Sequence, residues 1–251
     1  MENPVGALRA SVGRLLELRR GLDDVQLELP SYCDEWSIAQ VLSHLGSGAV
    51  ISRRRLDDIR AGQQTPDAFA PAVWDEWNAK TPRAQADEAL VADEALLESL
   101  EAVSGAERDR LTLPMGPLSL GFDEFVGLRL NEHAFHTWDI EVVFADTARL
   151  PEDAAALVVD NLALIARFSG RADGHERTVA VRTTDPGRDI ALRLSAHGVE
   201  VAAGEPGEAE LVLPAEAFCR LVYGRLDPDH TPAFTGDAAL LDMLRAVFPG
   251  P

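Results

Sequence analysis

The chain of 251 residues is long enough to bury a large core in one domain or two, and 46% of its residues are hydrophobic. Its formal net charge of -19 argues against a nucleic-acid-binding protein, because phosphate recognition needs a basic surface. The N-terminus lacks the apolar stretch of a signal peptide, and no run approaches the roughly 18 apolar residues of a membrane span. We therefore expect a cytoplasmic protein with neither a nucleic-acid nor a membrane partner.

The first 170 residues are dominated by helical patterns. Ser37 followed three residues later by Gln40 is typical of a capping box at a helix start, and Thr81-Pro82 gives a second cap. A loop around Pro66 to Pro71 is expected before that second cap. The predicted helices run over residues 4–24, from 37 to about 60, from 82 to about 105, from about 123 onwards, and from 151 to about 168.

The sequence pattern changes from helical to β-rich after residue 170. Short β-rich runs at 178–183, 190–195, 199–203 and 210–213 are separated by turn signals. Helices are predicted over 214–223 and 237–247. The chain is thus expected to be mainly α plus α+β, with a helical domain over residues 1–172 and a small α+β domain over residues 173–251.

Three side chains in the helical part have the chemistry of a metal site. Glu132 and His136 are four residues apart and share one helix face, and His44 lies on another predicted helix. Three ligands are typical of a catalytic metal, because the remaining coordination position stays open for water or substrate. The alternative is a buried, satisfied histidine beside an ordinary Glu-His helix pair. The distant Cys33 and Cys219 indicate neither a disulfide framework nor a cysteine metal site.

Three segments in this order resemble the mycothiol-dependent maleylpyruvate isomerase family: WSIAQVLSHL, RLNEHAFHTWDIEV and the C-terminal LVYGRLDPDHTPAFTGDAALLDMLRAVFPG. The resemblance covers essentially the whole chain. It implies an N-terminal DinB-like up-down four-helix bundle and a C-terminal sterol-carrier-like domain. It also implies a divalent metal, usually zinc, on His44, Glu132 and His136. The arginine-rich composition, with Lys80 as the one lysine, suggests an actinobacterial source.

The resemblance implies an enzyme that uses mycothiol, a sugar-linked cysteine thiol. Coordination to zinc deprotonates a thiol whose free pKa is near ~8.5. Addition of the thiolate to an activated double bond, rotation and expulsion would isomerise a small substrate. Retention of the adduct would instead be S-transfer, and the metal site does not distinguish the two.

Further candidates surround the expected metal site. Arg129 shares the face of Glu132 and is predicted to be catalytic, either by neutralising a substrate carboxylate or by steadying Glu132. The alternative is a helix-surface arginine. Arg55 is placed as a cofactor-binding residue about three turns after His44, although a solvated charge explains it as well. Arg225 matches a recurring glycine-arginine turn of the resembling family, in a catalytic or a structural role.

Two residues close to the expected ligands have other predicted roles. Asp139 is expected to pin the helix or to accept a hydrogen bond from a metal-binding imidazole. His133 points away from Glu132 and makes a poor ligand.

Two other functions stay open at this point. A metal-dependent hydrolase would use the same three ligands with a bound water. A non-catalytic binding module would enclose a small molecule and use the metal as a brace. The expected partners are a small-molecule substrate and the thiol, and the expected oligomeric state is a monomer.

Overall fold

The computed structural model describes residues 3–33, 35–115 and 118–250, and the chain forms two compact units, Met1–Ala148 and Arg149–Pro251. The sequence placed the boundary later, after residue 172. The difference comes from the predicted fifth helix, which pairs with later elements. Its two halves pack on a C-terminal helix and on a strand of the second unit.

Four long helices make up the first unit. They are α1 (Pro4–Arg20), α3 (Ile38–Arg60), α5 (Pro82–Glu101) and α7 (Phe122–Glu141). Helices α1 and α3 each pack against both α5 and α7, which is the arrangement of a four-helix bundle. The expected fold class is confirmed.

The helix starts follow the capping chemistry of the sequence. Ser37 Oγ accepts the Gln40 N–H at 3.3 Å, and Gln40 Oε1 accepts the Ser37 N–H at 2.8 Å. Thr81 caps α5 at the Ala84 N–H, with Pro82 at the first helical position. These caps fix where α3 and α5 begin. They thereby fix which turn of α3 carries His44.

Several shorter elements of the first unit were not predicted. They are α2 (Asp24–Leu27), α4 (Phe69–Asn78), α6 (Gly105–Arg108), and the antiparallel pair β1 (Thr112–Met115) and β2 (Leu118–Gly121). The region of Pro66 to Pro71, expected to be a loop, contains the start of α4. Its Pro71 lies in the first turn, where the missing N–H costs nothing. Trp77 of α4 is buried against the bundle core.

The second unit joins helices to a five-stranded sheet. Its helices are α8 (Glu152–Val159), α9 (Leu162–Ser169), α10 (Ala215–Val222) and α11 (Ala238–Val247), and its strands are β3 (Arg177–Thr184), β4 (Arg188–Ser195), β5 (Gly198–Ala203), β6 (Leu211–Pro214) and β7 (Thr235–Gly236). The strand order is β5-β4-β3-β6-β7, with only β3 and β6 parallel. The four predicted strands and both C-terminal helices are confirmed.

The predicted helix after Pro151 is interrupted at Asp160 and Asn161, which separate α8 from α9. Both residues are poor helix formers in an otherwise aliphatic segment. Among the helices that the structure describes, none combines the length and the apolar character that crossing a membrane requires.

Gly46 is a point of close helix contact that yields a stability prediction. A Cβ at Gly46 would lie 2.3 Å from the Trp77 ring and 2.8 Å from the Ala89 backbone, whereas a Cβ at Gly13 would meet nothing within 4 Å. We expect Gly46→Ala to lower the free energy of unfolding by about 1–3 kcal/mol through overpacking. The matched Gly13→Ala should raise it by about 0.5–1 kcal/mol, because alanine is the better helix former.

Urea unfolding of the full chain measures both variants against wild type. Equal stability of the two variants would contradict the close packing of α3 on α4 and α5.

Candidate metal centre

Helices α3 and α7 bring the three predicted ligands together. His44 Nε2 lies 3.0 Å from Glu132 Oε2, and His136 Nε2 lies 3.7 Å from the same oxygen. One ligand atom from each of the three residues lies within 4.8 Å of the others. The imidazole rings of His44 and His136 are 4.7 Å apart between centroids. The i, i+4 spacing on α7 therefore produces the convergence that the sequence predicted.

The electrostatics favour the protonation states that a metal ligand needs. Partial burial opposes the charged form of Glu132. The hydrogen bond with His44, the charges that protonated His136 and His44 carry at low pH, and the charge of Arg129 outweigh it and lower the pKa of Glu132 to about 2. Burial also lowers the pKa of His136, against the opposing pull of Asp139. Glu132 is thus a carboxylate near neutral pH, and His136 is held towards the neutral imidazole that binds metals.

Asp139 orients the His136 ring. Its Oδ2 accepts the His136 Nδ1–H at 2.8 Å, so the lone pair of His136 is on Nε2, which faces Glu132 and His44. The thiol of Cys33 donates to the same Oδ2 at 3.2 Å, and both Cys33 and Asp139 are buried. This contact fits the second of the two roles that the sequence predicts for Asp139, the support of a metal-binding imidazole.

Cys33, His136 and Asp139 form a second group whose ligand atoms lie within 4.8 Å of one another. The two groups share His136 and use different nitrogens of its ring. In the second group the short contacts are hydrogen bonds that occupy the Nδ1–H and the thiol proton. The first group is the better candidate, because its His136 nitrogen is the one left available.

Trp36 lies beside both imidazole rings. Its centroid is 5.1 Å from that of His44 and 6.0 Å from that of His136. The loop that carries it is held by the Ser31 backbone and hydroxyl, which both hydrogen-bond to the Trp36 carbonyl. Trp36 thus forms an aromatic wall of the site.

The donor set fits a divalent metal with an open position. Tetrahedral zinc with bonds of about 2.0–2.1 Å needs ligand atoms about 3.3 Å apart, and the observed 3.0 and 3.7 Å lie on either side of that value. The side chains of His44 and Glu132 are 37% and 47% exposed, whereas that of His136 is 11% exposed. One side of the triad therefore faces solvent, and a small molecule can approach it there.

Arg129 is buried, and the helix-surface alternative does not describe it. Its Nη2 donates to Asp93 Oδ1 and to the Leu45 carbonyl, each at 2.7 Å. Asp93 also lies 3.2 Å from His133 Nε2, and His133 Nδ1 lies 2.9 Å from Ser11 Oγ. His133 therefore points into the bundle and away from the triad, as predicted.

The two other predicted arginines are not part of the triad. Arg55 is half-buried on α3. Arg225 belongs to the second unit, where it is buried after α10 and donates from Nη1 to the Tyr223 carbonyl at 2.9 Å. The roles in cofactor binding and catalysis that the sequence suggests for them stay predictions.

Sequence reasoning missed Asp93 and the contact of Cys33 with Asp139. Asp93 left a readable signal, because it is an acid within the apolar stripe of α5 that includes Ala86, Ala89, Leu96 and Leu100. The Cys33 contact gives no such sequence signal, because Asp139 is 106 residues away. The loop that carries Cys33 also has no regular periodicity.

Comparison with known proteins identifies a family to which the chain is similar. The family model described as the mycothiol maleylpyruvate isomerase N-terminal domain matches residues 8–141, a span that contains all three candidate ligands. No curated protein sequence matches the chain.

Two solved structures have the same fold. A crystal structure of the mycothiol-dependent maleylpyruvate isomerase with a histidine-to-alanine mutation is 13% identical, with 94% of this chain and 93% of that chain covered and a TM-score of 0.66. A second crystal structure of the mycothiol-dependent maleylpyruvate isomerase is 14% identical, with 88% of each chain covered and a TM-score of 0.64. Because the family model spans more than half of the sequence, the chain belongs to the mycothiol maleylpyruvate isomerase family, a family of isomerase enzymes.

Proposed function

We propose that the protein uses a divalent metal, zinc in the first place, and a low-molecular-weight thiol, mycothiol, either to isomerise a small electrophilic substrate or to attach the whole thiol to it through the sulfur atom. The observation that carries the proposal is the donor set of two imidazoles and one carboxylate, open to solvent on one side, in a member of this family. A closed four-ligand site would instead favour a structural metal.

His44, Glu132 and His136 would hold the metal. When bound, it supplies a Lewis acid that lowers the pKa of a thiol in the open position, so that the thiolate is available near neutral pH. The Glu132 carboxylate reduces the net charge of the site, and Asp139 holds the His136 ring in the ligand orientation. Trp36 excludes water from the side of the two imidazoles and offers a flat face to a bound organic group.

The remaining parts of the proposal concern the substrate and the setting. Arg225 and Arg55 are proposed to bind anionic groups of the substrate or the thiol, since guanidinium groups pair with carboxylates. We propose a monomeric, cytoplasmic enzyme with a C-terminal domain of the sterol-carrier-like type.

Metal analysis combined with calorimetric titration of mycothiol tests this function. The purified full chain should contain about one zinc per chain and should bind mycothiol. Chelation should abolish thiol binding, and addition of zinc should restore it, because the thiolate needs the metal as its partner.

Each other outcome of the titration argues against the proposal. Zinc without thiol binding would overturn the thiol-dependent function and favour the hydrolase. If the chain has no affinity for zinc, the non-catalytic binding module is the remaining function.

Replacement of Glu132 by glutamine tests the ligand assignment. The variant keeps the side-chain shape but loses the charged oxygen. We therefore expect zinc affinity to fall by more than about 100-fold, which exceeds the loss typical of changing a residue that only hydrogen-bonds to a metal ligand. Asp123→Asn is the matched control, because it removes an exposed carboxylate from the same helix. Competition with a chromophoric chelator measures both affinities, and wild-type affinity in Glu132→Gln would refute the assignment.

A further inference from the structure

The two helices that carry the ligands are tied together by one buried guanidinium. Arg129 precedes Glu132 by three residues and shares its face of α7. Its Nη2 donates to the carbonyl of Leu45, the residue next to His44 on α3, at 2.7 Å. A single side chain therefore links the backbone beside one ligand to the helix turn that bears another.

Asp93 of α5 holds this guanidinium in place. Its Oδ1 accepts from the same Nη2 at 2.7 Å, and the two side chains are 5% and 1% exposed. A buried ion pair with further hydrogen bonds has little freedom, because any shift leaves a charge without its partner in a region of low polarity. The position of the guanidinium is thus set by α3 and α5 together.

Gly48 provides the space that the guanidinium occupies. It lies one turn after His44, and a Cβ built on it would be 2.8 Å from Arg129 Nη1. The end of an arginine usually moves aside at small cost. Here it cannot move without breaking its bonds to Asp93 and Leu45. A side chain at position 48 would therefore displace the guanidinium.

One donor of the buried arginine is left without a partner. The Arg129 Nε–H has no hydrogen-bond partner among the residues that the structure describes. A buried donor without a partner costs free energy. That cost indicates that the guanidinium is placed for its Nη2 contacts rather than for full satisfaction of its donors.

We infer that Arg129, seated in the gap at Gly48 and held by Asp93, is a positioning residue that sets the spacing of His44 and Glu132 for the metal. The inference rests on the proposed metal-dependent function. It gives Gly48 a role that its sequence position does not reveal, and it gives Arg129 a role that requires no contact with substrate.

The test compares Gly48→Ala with Arg129→Lys, with the double variant and with Gly13→Ala as control. Alanine favours the helix more than glycine does, so Gly48→Ala should fold. Zinc affinity is measured by chelator competition, and the visible absorption of Co²⁺ reports coordination geometry. A merely structural role would change thermal stability without changing either property of the folded protein.

We expect Gly48→Ala and Arg129→Lys each to lower zinc affinity by about 10- to 100-fold, the loss typical of changing a residue that supports the metal ligands. Both variants should also alter the Co²⁺ spectrum. The double variant should lose little more than one single variant, because both act through the same guanidinium. Gly13→Ala should match wild type.

Zinc affinity of a folded Gly48→Ala within about twofold of wild type would overturn the inference. Fully additive losses in the double variant would also overturn it. A wild-type chain that binds neither Zn²⁺ nor Co²⁺ would overturn the proposed metal site as well. The failure of the inference alone is therefore distinguishable from the failure of the proposed function.

Discussion

The buried carboxylate of Asp93 is the constraint on which the helical unit depends. A charge in the centre of a bundle costs several kcal/mol unless it is paired and hydrogen-bonded. Arg129 and His133 of α7 pair with it, Ser11 of α1 contacts His133, and Leu45 of α3 shares the guanidinium. Burial opposes ionisation of Asp93, but His133 and Arg129 lower its pKa. All four long helices therefore contribute a group to this one hydrogen-bonded network.

That arrangement places polar groups along one broad face of α7. Arg129 and His133 face the interior of the bundle, while Glu132 and His136 meet His44. Asp139 then fixes the His136 ring with help from Cys33. The candidate ligand set is thus in contact with the buried network through α7 and with the loop before α3 through Asp139. Such support is what holds a metal site near a productive geometry.

The sequence predicted the convergence of His44, Glu132 and His136 and the positions of the long helices because local rules govern both. The Ser37 cap fixes the start of α3, and the four-residue spacing of Glu132 and His136 fixes their common face. Arg129 was harder to place, since α7 is buried at most of its positions. Such a helix has no amphipathic pattern that separates surface from core.

Long-range contacts escaped prediction for a different reason. The contact of Cys33 with Asp139 and the close approach of Gly48 to Arg129 depend on tertiary packing. The observed domain boundary lies before the predicted one because α8 and α9 pack on α10 and β5. No local sequence signal indicates which unit an aliphatic helix belongs to. Local chemistry therefore predicted which three side chains converge, whereas tertiary packing determined which residues surround them.

X-ray absorption at the zinc edge of the zinc-loaded protein, free of any thiol, tests the central claim most directly. Two imidazole nitrogens and a carboxylate oxygen at about 2.0–2.2 Å, with no sulfur, are the expected shell. A sulfur ligand at about 2.3 Å from the zinc that disappears in Cys33→Ala would contradict the account. It would place the metal on Cys33, His136 and Asp139 instead of on His44, Glu132 and His136.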